Sequence, residues 1–322
     1  MTDLRGWGLA VIAALASPAS GQYRPPAHTQ QAPLLANATV GEIAMLAELG
    51  TSIERNRSAT EELTEHRRLA TALAQLKPGR PGVIEAFVVT VALDSDLVFG
   101  REAREAGRVL TRRYAASGHS LVLAGSDGNA PSALPMGSPA NIEIALARVA
   151  ELMGKEDVLV LYTTSHGAPF GVVYNDGDQG FGAISPTRLW SILQQLGIEN
   201  RLLLISACYA GVFVPMLASD TTAILTASAA DRTSFGCRAD SDWTFFGDAM
   251  INHALRQPRP LATAAAEAGT LIGGWESRGG LTPSQPQVSI GAKTTWLAAL
   301  EAHLPAATPM VGRPAVSALH LP

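Results

Sequence analysis

Cysteine is scarce: Cys208 and Cys237 are the only two in 322 residues. Two thiols exclude a disulfide framework and allow one bridge at most. Charge is sparse as well, at 16% of residues with a net charge of −4. Lys and Arg are scattered, with no dense basic run, so the electrostatic footprint of a nucleic-acid binder is missing. Beyond the N-terminal stretch no segment reaches the roughly 18 uninterrupted apolar residues that a membrane span requires. There is no His-Glu-x-x-His and no clustered Cys/His set, which excludes the usual zinc patterns. There is no Gly-x-Ser-x-Gly elbow for a serine hydrolase. Ala124-Gly125-Ser126-Asp127-Gly128 is a short turn without the lysine of a phosphate-binding loop. No cofactor is implied, and no internal repeat occurs.

What is present is apolar. Hydrophobic residues make up 47% of the chain, enough to bury a large core. Residues 1–21 combine a polar start bearing Arg5, an apolar run from Leu9 to Ala16, and small residues with a proline. That is the layout of a secretory signal, so export to the periplasm or medium is expected. A membrane role is expected only if this segment stays uncleaved as an anchor. Residues 22–36 are rich in Pro and Gln and read as a linker. Thr39-x-x-Glu42 and Ser58-x-x-Glu61 are capping-box signatures, each ahead of an apolar helical stripe. The segment 37–82 therefore reads as a helical hairpin outside the main domain: a docking element, a pro-segment or an extra layer. The tail 304–322 carries four prolines and many alanines, and flexibility is expected there.

The main domain spans 83–303. Buried-strand patterns cover 84–93, 121–124, 158–163, 201–206 and 222–226. Helical patterns cover 101–114, 141–153, 185–196 and 245–255. Near-continuous apolar strands separated by helices predict a mostly parallel sheet covered on both faces. Ligands of such sheets sit outside the carboxyl ends of the strands. Two of those ends carry chemistry: Thr164-Ser165-His166-Gly167 and Ser206-Ala207-Cys208-Tyr209-Ala210-Gly211. An imidazole beside a thiol can take its proton and make the thiolate nucleophile. Glycine after the histidine lets backbone approach a substrate closely. The N–H groups of Gly167 and Cys208 are candidates for an oxyanion hole.

Together with Thr226 to Cys237 (TASAADRTSFGC) and Asp242 to Asp248 (DWTFFGD), these stretches resemble the bacterial branch of the legumain-like C13 cysteine peptidases. The resemblance covers roughly residues 84–292, from Phe99, Arg101 and Glu102 to Ser284-Gln285-Pro286-Gln287. It implies a caspase-like three-layer α/β sandwich, a peptide or protein substrate, and His166 with Cys208 as the catalytic dyad. It further implies substrate-binding roles for Arg101, Ser206 and Asp248. Ser206 stands where the eukaryotic enzymes often have Glu, which speaks against a strict Asn preference. The resemblance supplies no counterpart of the Asn that assists the histidine in some members. Ser228, Asp231, Arg232 and Ser234 are expected on a loop that walls the cleft. Cys237 is expected as a buried thiol or as a bridge to Cys208. The competing expectations are a non-catalytic scaffold of the same fold and a transpeptidase or autoprocessing variant.

Overall fold

The computed structural model describes residue 29, residues 37–125 and residues 133–320. The expected export signal and nearly all of the 22–36 linker lie outside the described residues. Among the described residues no helix is long and apolar enough to cross a membrane.

In chain order the elements begin with α1 (Val40–Glu48), β1 (Ser52–Glu54) and α2 (Ala59–Ala74). Then come β2 (Ala86–Ala92), α3 (Leu97–Arg113), β3 (Ser120–Leu123), α4 (Pro139–Leu152) and β4 (Val158–Thr164). A meander of β5 (Gly167–Ala168), β6 (Gly171–Asp176) and β7 (Gly180–Ile184) follows, and then α5 (Pro186–Gln195). The chain continues through β8 (Arg201–Ser206), α6 (Val214–Leu217), β9 (Thr222–Thr226), α7 (Leu261–Arg278), β10 (Gln287–Ile290) and α8 (Trp296–Glu301).

Six strands form the central sheet in the order β10-β9-β8-β4-β2-β3. All neighbouring pairs are parallel except β10 against β9. Side chains on a strand alternate between faces, so a strand buried on both sides feeds two cores. In β4, Val158, Val160 and Tyr162 enter one core while Leu159 and Leu161 enter the other. In β8, Leu202 and Leu204 oppose Leu203 and Ile205 in the same way. Helices α3 and α7 cover the first face, and α2, α4 and α5 cover the second. The result is the α/β sandwich of three layers that the strand and helix grammar predicts.

Both capping boxes form. Thr39 accepts from Glu42 N at 3.2 Å while the Glu42 carboxylate accepts from Thr39 N at 2.7 Å. Ser58 and Glu61 repeat the exchange. The strand between the two helices was not legible, and it changes the role of the segment. β1 pairs antiparallel with β7 and extends a second sheet, β1-β7-β6-β5. Leu69 and Leu76 enter the core beside β2. The buried Glu65 accepts hydrogen bonds from Met136 N and Asn141 Nδ2. A segment that supplies a sheet strand and core leucines is built into the fold and does not stand outside it.

The tail is also corrected. Residues 305–317 are fastened rather than flexible. Trp243 Nε1 donates to Val311 O at 2.9 Å, and Asn252 exchanges two hydrogen bonds with the Val311 backbone at 2.9 and 3.0 Å. Ala315 N donates to Asp248 Oδ2 at 2.7 Å. Prolines that forbid helix do not forbid backbone contacts with buried side-chain acceptors. Asn252→Ala leaves several of these buried groups without partners. It is expected to cost about 2 kcal/mol in urea unfolding and to open the bond before Val311 to thermolysin. An unchanged midpoint and an intact tail would show that the clasp carries no stability.

Candidate active site

The site begins with register. Strands β4 and β8 pair in parallel with Thr164 opposite Ser206. His166 and Cys208 each lie two residues beyond that pair, so both emerge at the same carboxyl-end edge of the sheet. Ser165 N donates to Ser206 O at 3.2 Å and carries the pairing one step further.

The chain turns sharply after the cysteine. Tyr209 adopts the left-handed conformation, φ 58° and ψ 13°, which a non-glycine residue holds only when its surroundings impose it. Here the surroundings are specific. Tyr209 N donates to Arg232 O at 2.7 Å. Ala210 N donates to Ser228 Oγ at 3.2 Å, and Ser228 Oγ donates to Ala207 O at 3.2 Å. One buried hydroxyl thus bridges the residues on either side of Cys208. The Cys208 Sγ accepts from Ser234 N at 3.2 Å and lies 3.7 Å from Ser234 Oγ.

These neighbours favour a thiolate. The Cys208 pKa is lowered to about 6, foremost by a hydrogen bond from the Cys237 thiol. Burial opposes the shift, and the Ser234 N–H, the Ser234 hydroxyl and the His166 charge assist it. Cys237 moves the other way, well above the ordinary thiol value. The causes are its bond to Cys208, its burial, and the nearby charges of Cys208 and Glu102. The pair is two free cysteines, not a bridge. Cys208 is the thiol shifted down and Cys237 the thiol shifted up.

His166 packs edge-on against Phe99, with ring centroids 5.1 Å apart. Its Nε2 lies 3.6 Å from Asp96 Oδ2. The His166 pKa is raised, first by the hydrogen bond to Asp96, with burial opposing and the charges of Asp94, Asp96 and Cys208 adding to it. Both acids sit just before α3, where Asp96 N donates to Asp94 Oδ1 at 2.8 Å. Asp94, Asp96 and His166 bring their ligand atoms within 4.8 Å of one another. Among the described residues this is the one such His/Cys/acid group with the reach to hold an ion. Both carboxylates also raise the His166 pKa.

Gly167 has no room for a side chain. A Cβ there would lie 2.0 Å from the Cys208 carbonyl oxygen and 3.0 Å from Ala207 Cβ. Val173 N donates to His166 O at 3.0 Å, so Gly167 and Val172 form a non-hydrogen-bonded pair. The Gly167 N–H therefore points away from β6.

The pocket residues fare differently. Arg101 Nη1 donates to Ser241 O at 2.8 Å and lies 3.6 Å from Asp242 Oδ1, so it is tied to the 239–242 loop. Asp231 is exposed, 3.6 Å from Arg232 Nε. Three expected substrate-binding residues are corrected. Asp248 is fully buried, with its oxygens taken by Asn252 and Ala315. Ser228 is buried beneath the cysteine turn, and Ser206 is buried beneath the dyad. All three hold the frame and none lines an open cleft. Two contributors had no role assigned from the sequence: Asp96, which was missed, and Glu102, which was named only as part of the resemblance. The Glu102 carboxylate, fully buried, gathers donors from β4, β8 and the loop at Thr244.

Residues 137–267 match the family model described as the Peptidase C13 family. That stretch contains His166 and Cys208 and begins after Asp96, Arg101 and Glu102. Comparison with curated proteins gives no match.

Alkylation of Cys208 by iodoacetamide, followed by peptide mass, is expected to rise through a midpoint near pH 6. In Cys237→Ala the largest lowering influence is gone, and the midpoint moves up toward the ordinary thiol value of about 8.5. A midpoint that stays in place would show that Cys237 does not donate to Cys208.

Proposed function

We propose that the chain, whose residues 137–267 match the model of the Peptidase C13 family, is a cysteine endopeptidase working through Cys208 and His166. The observation that carries this reading is the register. A thiol favoured as thiolate and an imidazole favoured as imidazolium share one edge of adjacent parallel strands.

The electrostatics refine the role of the histidine. With Cys208 acidified and His166 made more basic, the proton already sits on the imidazole before substrate arrives. The thiolate attacks the scissile carbonyl carbon and a tetrahedral oxyanion forms. We assign the Gly167 and Cys208 N–H groups to that oxyanion, because the backbones of the two residues are in direct contact. His166 gives its proton to the leaving amine, and a thioester remains. Neutral His166 then takes a proton from water, the hydroxide attacks the thioester, and the acid product departs with Cys208 restored as thiolate. Asp96 stabilises the imidazolium and orients the ring. It takes the place that the resemblance to legumain-like enzymes left empty. Arg101 and Asp231 remain proposed contacts at the rim of the cleft, the first beside the 239–242 loop and the second on the loop after β9. A scaffold role is disfavoured by the arrangement, since tuning a thiol and an imidazole in opposite directions serves no binding surface.

The test is cleavage of a diverse peptide library by the wild type beside Cys208→Ala and His166→Ala. Cys208→Ala is expected to abolish cleavage, and His166→Ala to lower kcat by about 10²- to 10⁴-fold. Cleavage that survives in Cys208→Ala would sink the mechanism.

The pH profile of kcat/KM is expected to be bell-shaped. Its acid limb lies near pH 6, where Cys208 gains a proton. Its alkaline limb lies above the ordinary imidazole value of about 6.5, because the His166 pKa is raised. Asp96→Ala removes the main cause of that rise, so the alkaline limb moves to lower pH. An unmoved limb would mean that Asp96 does not support the imidazolium.

A further inference from the structure

Glu102 lies on α3 and is fully buried. Its Oε1 accepts from Tyr162 OH, from Thr164 Oγ1 at 2.7 Å and from Ser206 Oγ at 2.9 Å. Its Oε2 accepts from Thr244 N at 2.8 Å. Thr244 Oγ1 closes the ring, 3.1 Å from Ser206 Oγ and 2.9 Å from Gly247 N. Every partner is a neutral donor. A carboxylate without a cation in such a place costs free energy unless its hydrogen bonds are complete, and here both oxygens are occupied.

The partners are what give this carboxylate a role. Thr164 and Ser206 are register partners across β4 and β8. Each stands two residues before a member of the dyad. On a strand, residues two apart point to the same face, so the position of each hydroxyl constrains the course of its strand into the site. Thr244 ends the loop that carries Ser234 and Cys237. We propose that Glu102 is a positioning residue for the dyad, a single buried carboxylate that fixes the strand ends bearing His166 and Cys208 and the loop bearing the Cys208 neighbours in one frame. This inference rests on the reading of Cys208 and His166 as the reacting pair.

The frame sets the thiol as well as the geometry. The groups facing Cys208 are Cys237 and Ser234 from the loop and His166 from the end of β4. Asp94 and Asp96 stand behind His166, and the charge of Glu102 helps keep Cys237 protonated. If the frame slackens, each bond that favours the thiolate lengthens. Loss of the Glu102 charge removes one cause of the raised Cys237 pKa and by itself favours ionisation of the thiol pair, but the slackened contacts to Cys208 outweigh it, so the Cys208 titration moves upward. Thr164→Val and Ser206→Ala keep the charge and read the frame alone.

The experiment follows Cys208 alkylation by iodoacetamide against pH in the full chain, beside kcat and KM for peptide cleavage. The variants are Glu102→Gln, Thr164→Val, Ser206→Ala and the Glu102→Gln/Ser206→Ala double variant. Circular dichroism first establishes that each is folded at the temperature of assay. In Glu102→Gln the alkylation midpoint is expected to rise from near pH 6 by at least about half a unit. Its kcat is expected to fall about tenfold or more with KM held within about twofold. Ser206→Ala and Thr164→Val shift the same way by less. The double variant is expected to be no worse than Glu102→Gln alone, because both changes cut the same tie. A residue that only adds stability would lower the unfolding temperature and leave the midpoint of the folded protein in place. Should Glu102→Gln not fold, the two hydroxyl variants carry the same test. An unmoved midpoint in the folded variants overturns the proposal whether or not peptides are cleaved. A wild-type midpoint near pH 6 that rises in the variants supports it even if no peptide is cleaved, in which case only the peptidase reading fails.

Discussion

The parallel pairing of β4 with β8, with Thr164 facing Ser206, is the constraint on which the site depends. It is built from apolar residues that contact no substrate. Val160, Tyr162, Leu202 and Leu204 bury one face, and Leu161, Leu203 and Ile205 bury the other. A slip of one residue would exchange the two faces, so the hydrophobic pattern itself fixes the level at which His166 and Cys208 emerge. His166 and Cys208 are placed by burial and their surroundings are then refined by polar contacts. Ser228 and the left-handed Tyr209 set the turn, while Asp96 and Cys237 set the charges.

The opposed titrations deserve a physical reading as a unit. Each favourable contact to Cys208 comes from a donor, either an N–H, a hydroxyl or a second thiol, with the imidazolium charge added. Each favourable contact to His166 comes from an acid or from the thiolate. Burial works against both charges, so the pair persists only because the partners outweigh it. The same logic explains why the Cys237 thiol titrates above the ordinary thiol range. It faces a thiolate and a buried carboxylate, and both disfavour its ionisation.

The sequence was most informative where physics is local or fully apolar. β2, β4, β8 and β9 read correctly because strands buried on both faces are continuous apolar runs. Both capping boxes read correctly because their partners are three residues apart. The second sheet was missed because Gly171, Gly180 and Gly182 break its pattern and its side chains are mixed. β10 was missed because it is a partly exposed edge strand, and α7 because its run of Ala and Gly has no sharp stripe. Cys208 and His166 stood out as candidates because each follows the end of an apolar strand. Glu102 and Asp96 did not, since their partners lie 60 to 142 residues away in sequence or, for Asp96, across the cleft on β4's extension. Asp248 misled because its neighbours Phe246 and Gly247 suggested a pocket, while its actual partner is a proline-rich tail whose fastening leaves no periodic trace.

The second sheet ties β1, the first strand among the described residues, to the histidine. β5 starts at Gly167, directly after His166, and the ribbon runs through β6 and β7 to β1. For anyone shortening this protein, a start at the onset of the apolar sheet near residue 83 is therefore too late. A chain trimmed to the parallel sheet would keep every residue of the dyad. It would also bare the backbone edge of β7 and take away the buttress on which the histidine loop leans.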